Sequence, residues 1–472
     1  MSVHGSAVNQ GFPQQLDLAA RLDRVPLSGF HRRLVLLSGL GWMFDAMDIL
    51  ILGSVLAAVG RQWGLDPGTT ALINSINLLG MFVGATVAGT LADRYGRRAL
   101  FQTTLLVYSL FTGLSALAYN AVSLMVLRFL AGLGLGGELP VASTLVSEFA
   151  PTKNRGRLVV LLESFWAFGS VLAALVGYLV IPSLGWQAAF LIGALPALYV
   201  FVLRQGIPES PRYLLARGRR AEAEAVVARV ERDAGLARGS KNRRIVPPRP
   251  PLAPPRASGP GLGTLFSPLY LRRTLVLWVL WATMNFSYYG IFLWLPTQFV
   301  RKGFSLDQAL LFNLIVAVAQ IPGYFAAAWL VEQWGRRITL VVFLALCAVG
   351  AWGFGQVTLP EHLGAESIPA ILGWGSVISF FNLGAWGVVY SYTPELYPTT
   401  LRAAGAGAAT AFGRLWAILA PLSIPLQLGL FGSQANVFLA FMAIMVIGAV
   451  VVLLFGIETR GRSLEELAAA PA

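Results

Sequence analysis

Apolar positions in this chain do not alternate with polar ones; they come in long, nearly unbroken runs. Residues 34–59, 71–92, 158–180 and 437–455 are mostly apolar, and a helix needs roughly 20 such residues to cross a bilayer. The pattern predicts spans near 34–59, 70–92, 99–118, 121–147, 158–180 and 187–203. Six more follow near 274–299, 309–331, 338–357, 367–392, 403–428 and 434–456. The chain therefore reads as an all-α integral membrane protein with twelve transmembrane helices. Residues 1–33 form an N-terminal arm, 34–203 and 274–456 two six-span units, 204–273 a polar linker and 457–472 a tail. The linker opens with an Ala/Glu/Arg-rich stretch, 216–237, suited to a short helix, and continues into the Pro-rich residues 247–260.

The two units are related by an internal repeat, visible in punctuation more than in overall identity. Gly89-Thr-Leu-Ala-Asp-Arg-Tyr-Gly-Arg-Arg98 is echoed by Ala328-Trp-Leu-Val-Glu-Gln-Trp-Gly-Arg-Arg337, so that Asp93, Arg97 and Arg98 correspond to Glu332, Arg336 and Arg337. Glu148, Pro151 and Arg155 recur 247 residues later as Glu395, Pro398 and Arg402, and Glu209 recurs as Glu458. A carboxylate at one helix end facing Arg-Arg across a short turn makes a breakable charged latch. Such latches could hold two bundles in one of two tilts, as alternating access requires, or could anchor loops among lipid headgroups.

Only 12% of residues are charged and 56% are hydrophobic, against about 25% charged in soluble chains. The net charge of +13 suits nucleic acid at first sight, but its placement argues for topology. With a cytoplasmic N-terminus, Arg61, Arg301 and Lys302 fall in outer loops and Arg128 and Arg414 within spans; the other 30 basic residues are cytoplasmic. That predicts a multi-pass protein of a cell membrane with both termini inside and no nucleic-acid partner. Residues 1–33 lack a signal-peptide core. The one cysteine, Cys347, lies in a span, which excludes a disulfide framework or cysteine metal cluster. Gly132-Leu-Gly-Leu-Gly-Gly137 looks superficially like a nucleotide loop but lacks the preceding strand and the following acid. With no nucleophile–base pair, metal cluster or phosphate-binding loop, the chain reads as a non-enzyme without cofactor.

Gly89–Arg98 resembles the loop signature of the major facilitator superfamily, which implies two pseudo-symmetric six-helix bundles. Pro208-Glu-Ser-Pro-Arg-Tyr-Leu214 is similar to the signature of its sugar-porter and organic-ion branches, and Tyr392-Thr-Pro-Glu-Leu-Tyr-Pro398 to that of the organic-ion and synaptic-vesicle-glycoprotein branch. Gly41-Trp-Met-Phe-Asp-Ala-Met-Asp48, Gly134–Glu148, Val159–Trp166 and Ile181–Trp186 resemble the bacterial niacin-transporter family. The resemblance implies import of nicotinate or a similar aromatic monocarboxylate by a single chain in a bacterial inner membrane.

Six ionisable residues fall inside the predicted spans: Asp45, Asp48, Arg128, Glu138, Glu163 and Arg414. Each costs about 2.5–3.5 kcal/mol to insert, so each calls for a use. Arg414 lies mid-span, where its planar fork suits a carboxylate; organic-anion relatives carry a similar arginine, and the alternative is a structural acidic partner. Asp45 and Asp48 are three residues apart, on one side of span one with Trp42. The resemblance to sugar porters pairs Asp48 with Arg128, either as a proton-coupling pair or as a permanent ion pair. By the same resemblance Glu163 occupies a sugar-contacting position, though as a carboxylate in place of an amide. Glu138 interrupts a run of glycines and serves either as a proton site or as a helix–helix tie. Because His4, His31 and His362 fall outside the spans, coupling must use carboxylates.

Span seven aligns Trp281, Asn285, Tyr288 and Phe292 on one helical face, beside Tyr289. Span ten aligns Ser379, Asn382, Trp386 and Tyr390, and span five Glu163, Trp166 and Ser170. Such stripes either pack or enclose a flat ring whose polar edge the amides read. The leading expectation is proton symport of nicotinate. Arg414 would hold the carboxylate, Trp166, Tyr288, Tyr289 and Trp386 would enclose the ring with Asn285, Asn382 and Glu163 nearby, and Asp48 with Asp45 would carry the proton. An organic-cation carrier using Asp45, Asp48 and Glu163 is the rival, and a transporter-like sensor that moves nothing is a third reading.

Overall fold

The computed structural model describes residues 18, 21–22, 24–151, 155–236, 262–358, 367–398 and 401–460, and the regular elements among them are all helical. The Pro-rich stretch, His4 and His362 lie outside the described residues. The first half contains α1 (Gly29–Trp63), α2 (Pro67–Tyr95), α3 (Arg97–Ser115), α4 (Ala121–Phe149), α5 (Arg155–Glu163), α6 (Phe165–Gly193) and α7 (Pro196–Gly206). The linker holds α8 (Pro211–Ala216), α9 (Arg220–Asp233) and a 3-10 turn at Leu262–Phe266. The second half contains α10 (Leu271–Phe292), α11 (Leu295–Arg301), α12 (Leu306–Val318), α13 (Gln320–Trp334), α14 (Arg336–Val357), α15 (Ile368–Glu395), α16 (Arg402–Phe431) and α17 (Gln434–Phe455).

Ten helical segments among the described residues are long and apolar enough to cross a membrane. Two differences from the expected twelve have simple causes. The run Arg157–Leu203 is continuous in hydropathy, although the backbone leaves the helix at Gly185 (φ 80°, ψ 166°). The expected span at 99–118 forms as α3, but its polar residues keep it out of the ten. Spans expected at 274–299 and 309–331 are each broken, near Leu293 and Ala319. The first helix begins at Gly29, capped by Ser28. His31 is therefore inside α1, buried against the Phe149 carbonyl (3.3 Å), not in a free arm.

Local chemistry sets the helix starts. Asp66 accepts the N–H groups of Gly68 and Thr69 (2.7 and 3.0 Å) ahead of Pro67 in the first turn of α2. The Thr69 hydroxyl, with those two N–H groups, holds the Asp66 carboxyl below its usual range. Asn120 and Ser123 cap α4 reciprocally. The glycine run of α4 permits close contact with α2: a Cβ at Gly132 would stand 2.3 Å from the Asn77 carbonyl, and one at Gly136 1.9 Å from that of Met81.

Helices α1–α7 pack chiefly on one another, as do α10–α17. The two sets meet where α2 touches α16, α6 touches α12 and α1 touches α11. Away from the Arg-rich loops this seam is tight: Ser75 donates to the Ile418 carbonyl (2.8 Å), and Gly53 lies against the backbone of Leu293. At the basic end, Arg21 of the N-terminal arm pairs with Glu231 on the linker helix α9 (2.7 Å).

Candidate functional site

A cavity lies at the seam, lined from both halves. Glu163 and Trp166 enter from α5 and α6, Leu78 and Met81 from α2. From the other half come Trp281, Asn285, Tyr288 and Tyr289 on α10, Tyr324 on α13, Trp386 and Tyr390 on α15, and Thr410 and Arg414 on α16. The rings form a connected set. Trp166 meets Tyr288 at 6.2 Å with its indole N–H donating to the Tyr288 hydroxyl (2.7 Å). Tyr288 stands edge-on to Tyr289 (5.4 Å) and Trp386 (6.4 Å), and Trp281 packs against Trp386 and Tyr390.

Two charged groups face this cage. Arg414 is half-buried, beside Tyr289 and Tyr390, and among the described residues its guanidinium has no hydrogen bond or ion pair. Glu163 is 5% exposed and likewise has no partner among them; Tyr324 and Tyr390 are its neighbours. An uncompensated cation and a buried carboxyl in one apolar cavity are costly unless a ligand meets them.

Seven of the eight residues expected to bind substrate line this cavity: Arg414, Trp166, Glu163, Tyr288, Tyr289, Asn285 and Trp386. Asn382 does not. Its amide turns to the Ser287 hydroxyl (2.9 Å) and the Cys347 sulfur (3.9 Å), tying α10 and α14 to α15. The helical stripe in span ten rotates past the cavity within one turn, so Trp386 and Tyr390 reach it while Asn382 is inside the half. The Asn285 amide donates to the Trp281 carbonyl (2.8 Å). Tyr324 and Thr410 are additional cavity residues. Thr410 stands four positions before Arg414, so its helical face could have been read from sequence; Tyr324 carries no such signal.

Asp45, Asp48, Arg128 and Glu138 do not line the cavity; all four are fully buried inside the first half. Asp48 meets Arg128 through two contacts (2.5 and 3.3 Å), and Thr112 donates to the same carboxylate (2.5 Å). Arg128 also donates to Asn77 (3.2 Å). Asp45, one turn away, faces Glu138 instead.

The repeated loops at the basic end have matching geometry. Glu209 accepts the N–H groups of Arg97 and Arg98 (3.1 and 3.2 Å), capping α3; Glu458 does the same for Arg336 and Arg337 (3.0 Å each), capping α14. Gly96 and Gly335 precede these helices with φ of 103° and 85°, and a Cβ on either would stand 2.5 Å from the capping carboxylate. Arg97 lies 3.6 Å from Glu148, and Arg336 lies 3.0 Å from Glu395. Glu332, 75% exposed, reaches Arg336 only at 3.9 Å. Each of these contacts ties helices within one half and does not bridge the two halves. The side chains of Asp93, Arg155 and Arg402 lie outside the described residues.

A bundle of apolar helices around a seam cavity with duplicated Arg-rich loops defines a membrane transporter. The chain belongs to the major facilitator superfamily: residues 61–470 match the family described as sugar (and other) transporter. It is 45% identical over 452 residues to the niacin transporter NiaP of Acinetobacter baylyi, covering 96% of this chain and all of that one. It is 30% identical to the organic cation/carnitine transporter 7 of Arabidopsis thaliana, covering 91% and 92% of the two chains. Among solved structures, the proton:xylose symporter XylE superposes with a TM-score of 0.70 at 20% identity, covering 93% and 98%, which fixes the fold as that of the superfamily. Its members move solutes and are not enzymes.

Proposed function

We propose that this transporter imports nicotinate, or a closely similar aromatic monocarboxylate, together with a proton. The observation that carries the reading is the Arg414 guanidinium, without a partner among the described residues, at the edge of a cage of aromatic rings. A carboxylate on Arg414 gains charge-assisted hydrogen bonds, and a flat ring gains stacking against Trp386, Tyr289 and Tyr390. The niacin transporter relative supports the substrate. An anion entering an interior-negative cell opposes about 2.3 kcal/mol per 100 mV, which one co-transported proton cancels.

The reading assigns twelve passes in two six-helix bundles. Arg157–Leu203, at 47 residues, would extend about 70 Å as one helix, more than twice a bilayer core of about 30 Å; the break at Gly185 makes it two passes. Helix α3 is the remaining pass. The Arg-rich loops then face the cytoplasm with both termini, in a bacterial inner membrane, and a single chain suffices because the cavity is complete within it. Alternating access is rocking of the bundles about the cavity.

Glu163 favours one rival: a carboxyl with no partner among the described residues, in the same cavity, could hold an organic cation, and one relative bears the name of a cation/carnitine transporter. Uptake of labelled nicotinate into proteoliposomes, with and without an inward proton gradient, separates the two. Gradient-stimulated accumulation that unlabelled nicotinate competes and an organic cation does not is the expected result. Absence of uptake in sealed vesicles, or competition by the cation alone, would overturn it.

A further inference from the structure

Four buried charged groups in the first half are unequal in one respect. Asp48 is fully engaged by Arg128 and Thr112. Asp45 and Glu138 are both 0% exposed, and among the described residues no donor reaches any of their four carboxyl oxygens. They face each other across the α1–α4 contact. Gly41 permits this: a Cβ there would stand 2.8 Å from Glu138 Oε1 and 3.0 Å from the Phe101 ring. The hydroxyl of Tyr108 on α3, itself buried, lies within electrostatic range of the same pair without bonding to it.

Two facing carboxylates with no other donor repel, and neither is solvated. Each becomes the other's hydrogen-bond partner as soon as one proton lies between them, and the two then titrate as a unit. Asp48, by contrast, would lose its bond to Arg128 on taking up a proton. We infer that the Asp45–Glu138 pair, and not Asp48, is the seat of the transported proton. The pair takes up one proton from one side of the membrane and releases one to the other, its charge changing by one in each cycle; no covalent bond is made or broken. The groups facing the pair are Asp48 on α1, Tyr108 on α3 and Tyr199 on α7; Arg128 on α4 is engaged by Asp48. Asp48, one turn along α1 from Asp45, is committed to Arg128 and Thr112 and leaves the exchange to the Asp45–Glu138 pair.

The inference rests on the nicotinate reading for its transport assay but not for its spectroscopic one. Infrared difference spectra of the purified full-length protein, titrated without substrate, would show the carbonyl band of a protonated carboxyl. That band is expected to vanish in Asp45→Asn and shift in Glu138→Gln, and to persist in Asp48→Asn. In proteoliposomes with one pH unit imposed, a one-proton symporter accumulates nicotinate up to about tenfold. Asp45→Asn and Glu138→Gln should fall to about onefold while nicotinate counterflow stays within about threefold of wild type, which also reports that they are folded. Glu138→Asp, which keeps a carboxyl, should restore part of the accumulation. Unchanged bands and full accumulation in both amide variants, or loss of both only in Asp48→Asn, would overturn the inference. If nicotinate is not the substrate, wild type shows no uptake while the infrared pattern stands.

Discussion

Arg414→Ala is the substitution on which the substrate reading depends most directly. The side chain stands on α16 at the edge of the aromatic cage with no protein partner among the described residues. Removing it should therefore cost the ligand and not the fold. A hydrogen bond to a charged group contributes about 1.5–3 kcal/mol, and truncating one member of a desolvated, hydrogen-bonded charge pair costs about 2–5 kcal/mol. At about 1.4 kcal/mol per tenfold, nicotinate affinity should drop between about 30-fold and a few thousandfold. Arg414→Lys, which keeps the charge but not the planar fork, should fall between the extremes. Nicotinamide, lacking the carboxylate, should bind the Ala variant within about threefold of wild type. Trp166, Trp281 and Trp386 border the cavity, so a fluorescence titration of the purified protein reads binding directly, with calorimetry as a check. Melting temperature supplies the control: it should hold or rise, because no internal partner is orphaned. Nicotinate affinity within threefold of wild type, or equal losses for acid and amide, would show that Arg414 does not hold the carboxylate.

Other perturbations test the scaffold. Arg128→Met leaves Asp48 buried without its cation and should cost about 3–5 kcal/mol, seen as a sharp drop in melting temperature that Asp48→Asn in the same chain partly reverses. Gly335→Ala forces a left-handed φ on a residue whose new Cβ meets the Glu458 carboxylate; about 1–3 kcal/mol of stability should be lost, whereas an alanine at the exposed, partner-free Gly407 should be tolerated. Lys302 is half-buried, donates to the Thr358 carbonyl, and is pushed down to about 8 by burial. Because its unfolded value is about 10.4, the unfolded chain binds the extra proton between those values and stability rises with pH across that window. Lys302→Met should raise the melting temperature at pH 7, with the gain fading as pH climbs from about 8 towards 10.

Hydrophobic run length made the membrane class and most helix positions legible, because a spanning helix must be apolar over a length that leaves little ambiguity. The charged residues in spans were legible for the same reason: each is an exception to a strong rule. Which way each one faces was not. Asp45 and Asp48 share one side of α1 as their spacing required, yet that side is turned into the first half, where the spacing alone cannot distinguish bundle interior from seam. Asn382 failed likewise, since a helical stripe gives an azimuth relative to its own helix and not to its neighbours. The breaks near Leu293 and Ala319 were invisible because short turns inside apolar runs change neither length nor hydropathy. The Glu209 and Glu458 echoes were legible as a repeat, but their capping of α3 and α14 depends on the folded approach of segments over a hundred residues apart.

The distribution of bonds suits the proposed rocking of the two repeats. Among described side chains, every ion pair that joins two long apolar helices does so within one repeat: Arg97–Glu148, Arg128–Asp48 and Arg336–Glu395. The side-chain bonds across the seam are mostly neutral: Trp166 to Tyr288, Ser170 to Gln320, and Tyr324 to the Val160 carbonyl. A neutral hydrogen bond contributes about 0.5–1.5 kcal/mol net, while breaking a buried ion pair costs about 3–5 kcal/mol. Sliding one repeat against the other therefore exchanges weak contacts and leaves the strong ones intact. Two of those weak contacts, at Trp166–Tyr288 and Tyr324, involve the residues that line the cavity. A ligand that inserts between them competes for the same groups that hold the seam shut. On the proposed rocking of the repeats, occupancy of the cavity and their tilt become one equilibrium, and the charged ties inside each repeat keep the strain of that tilt from being absorbed locally.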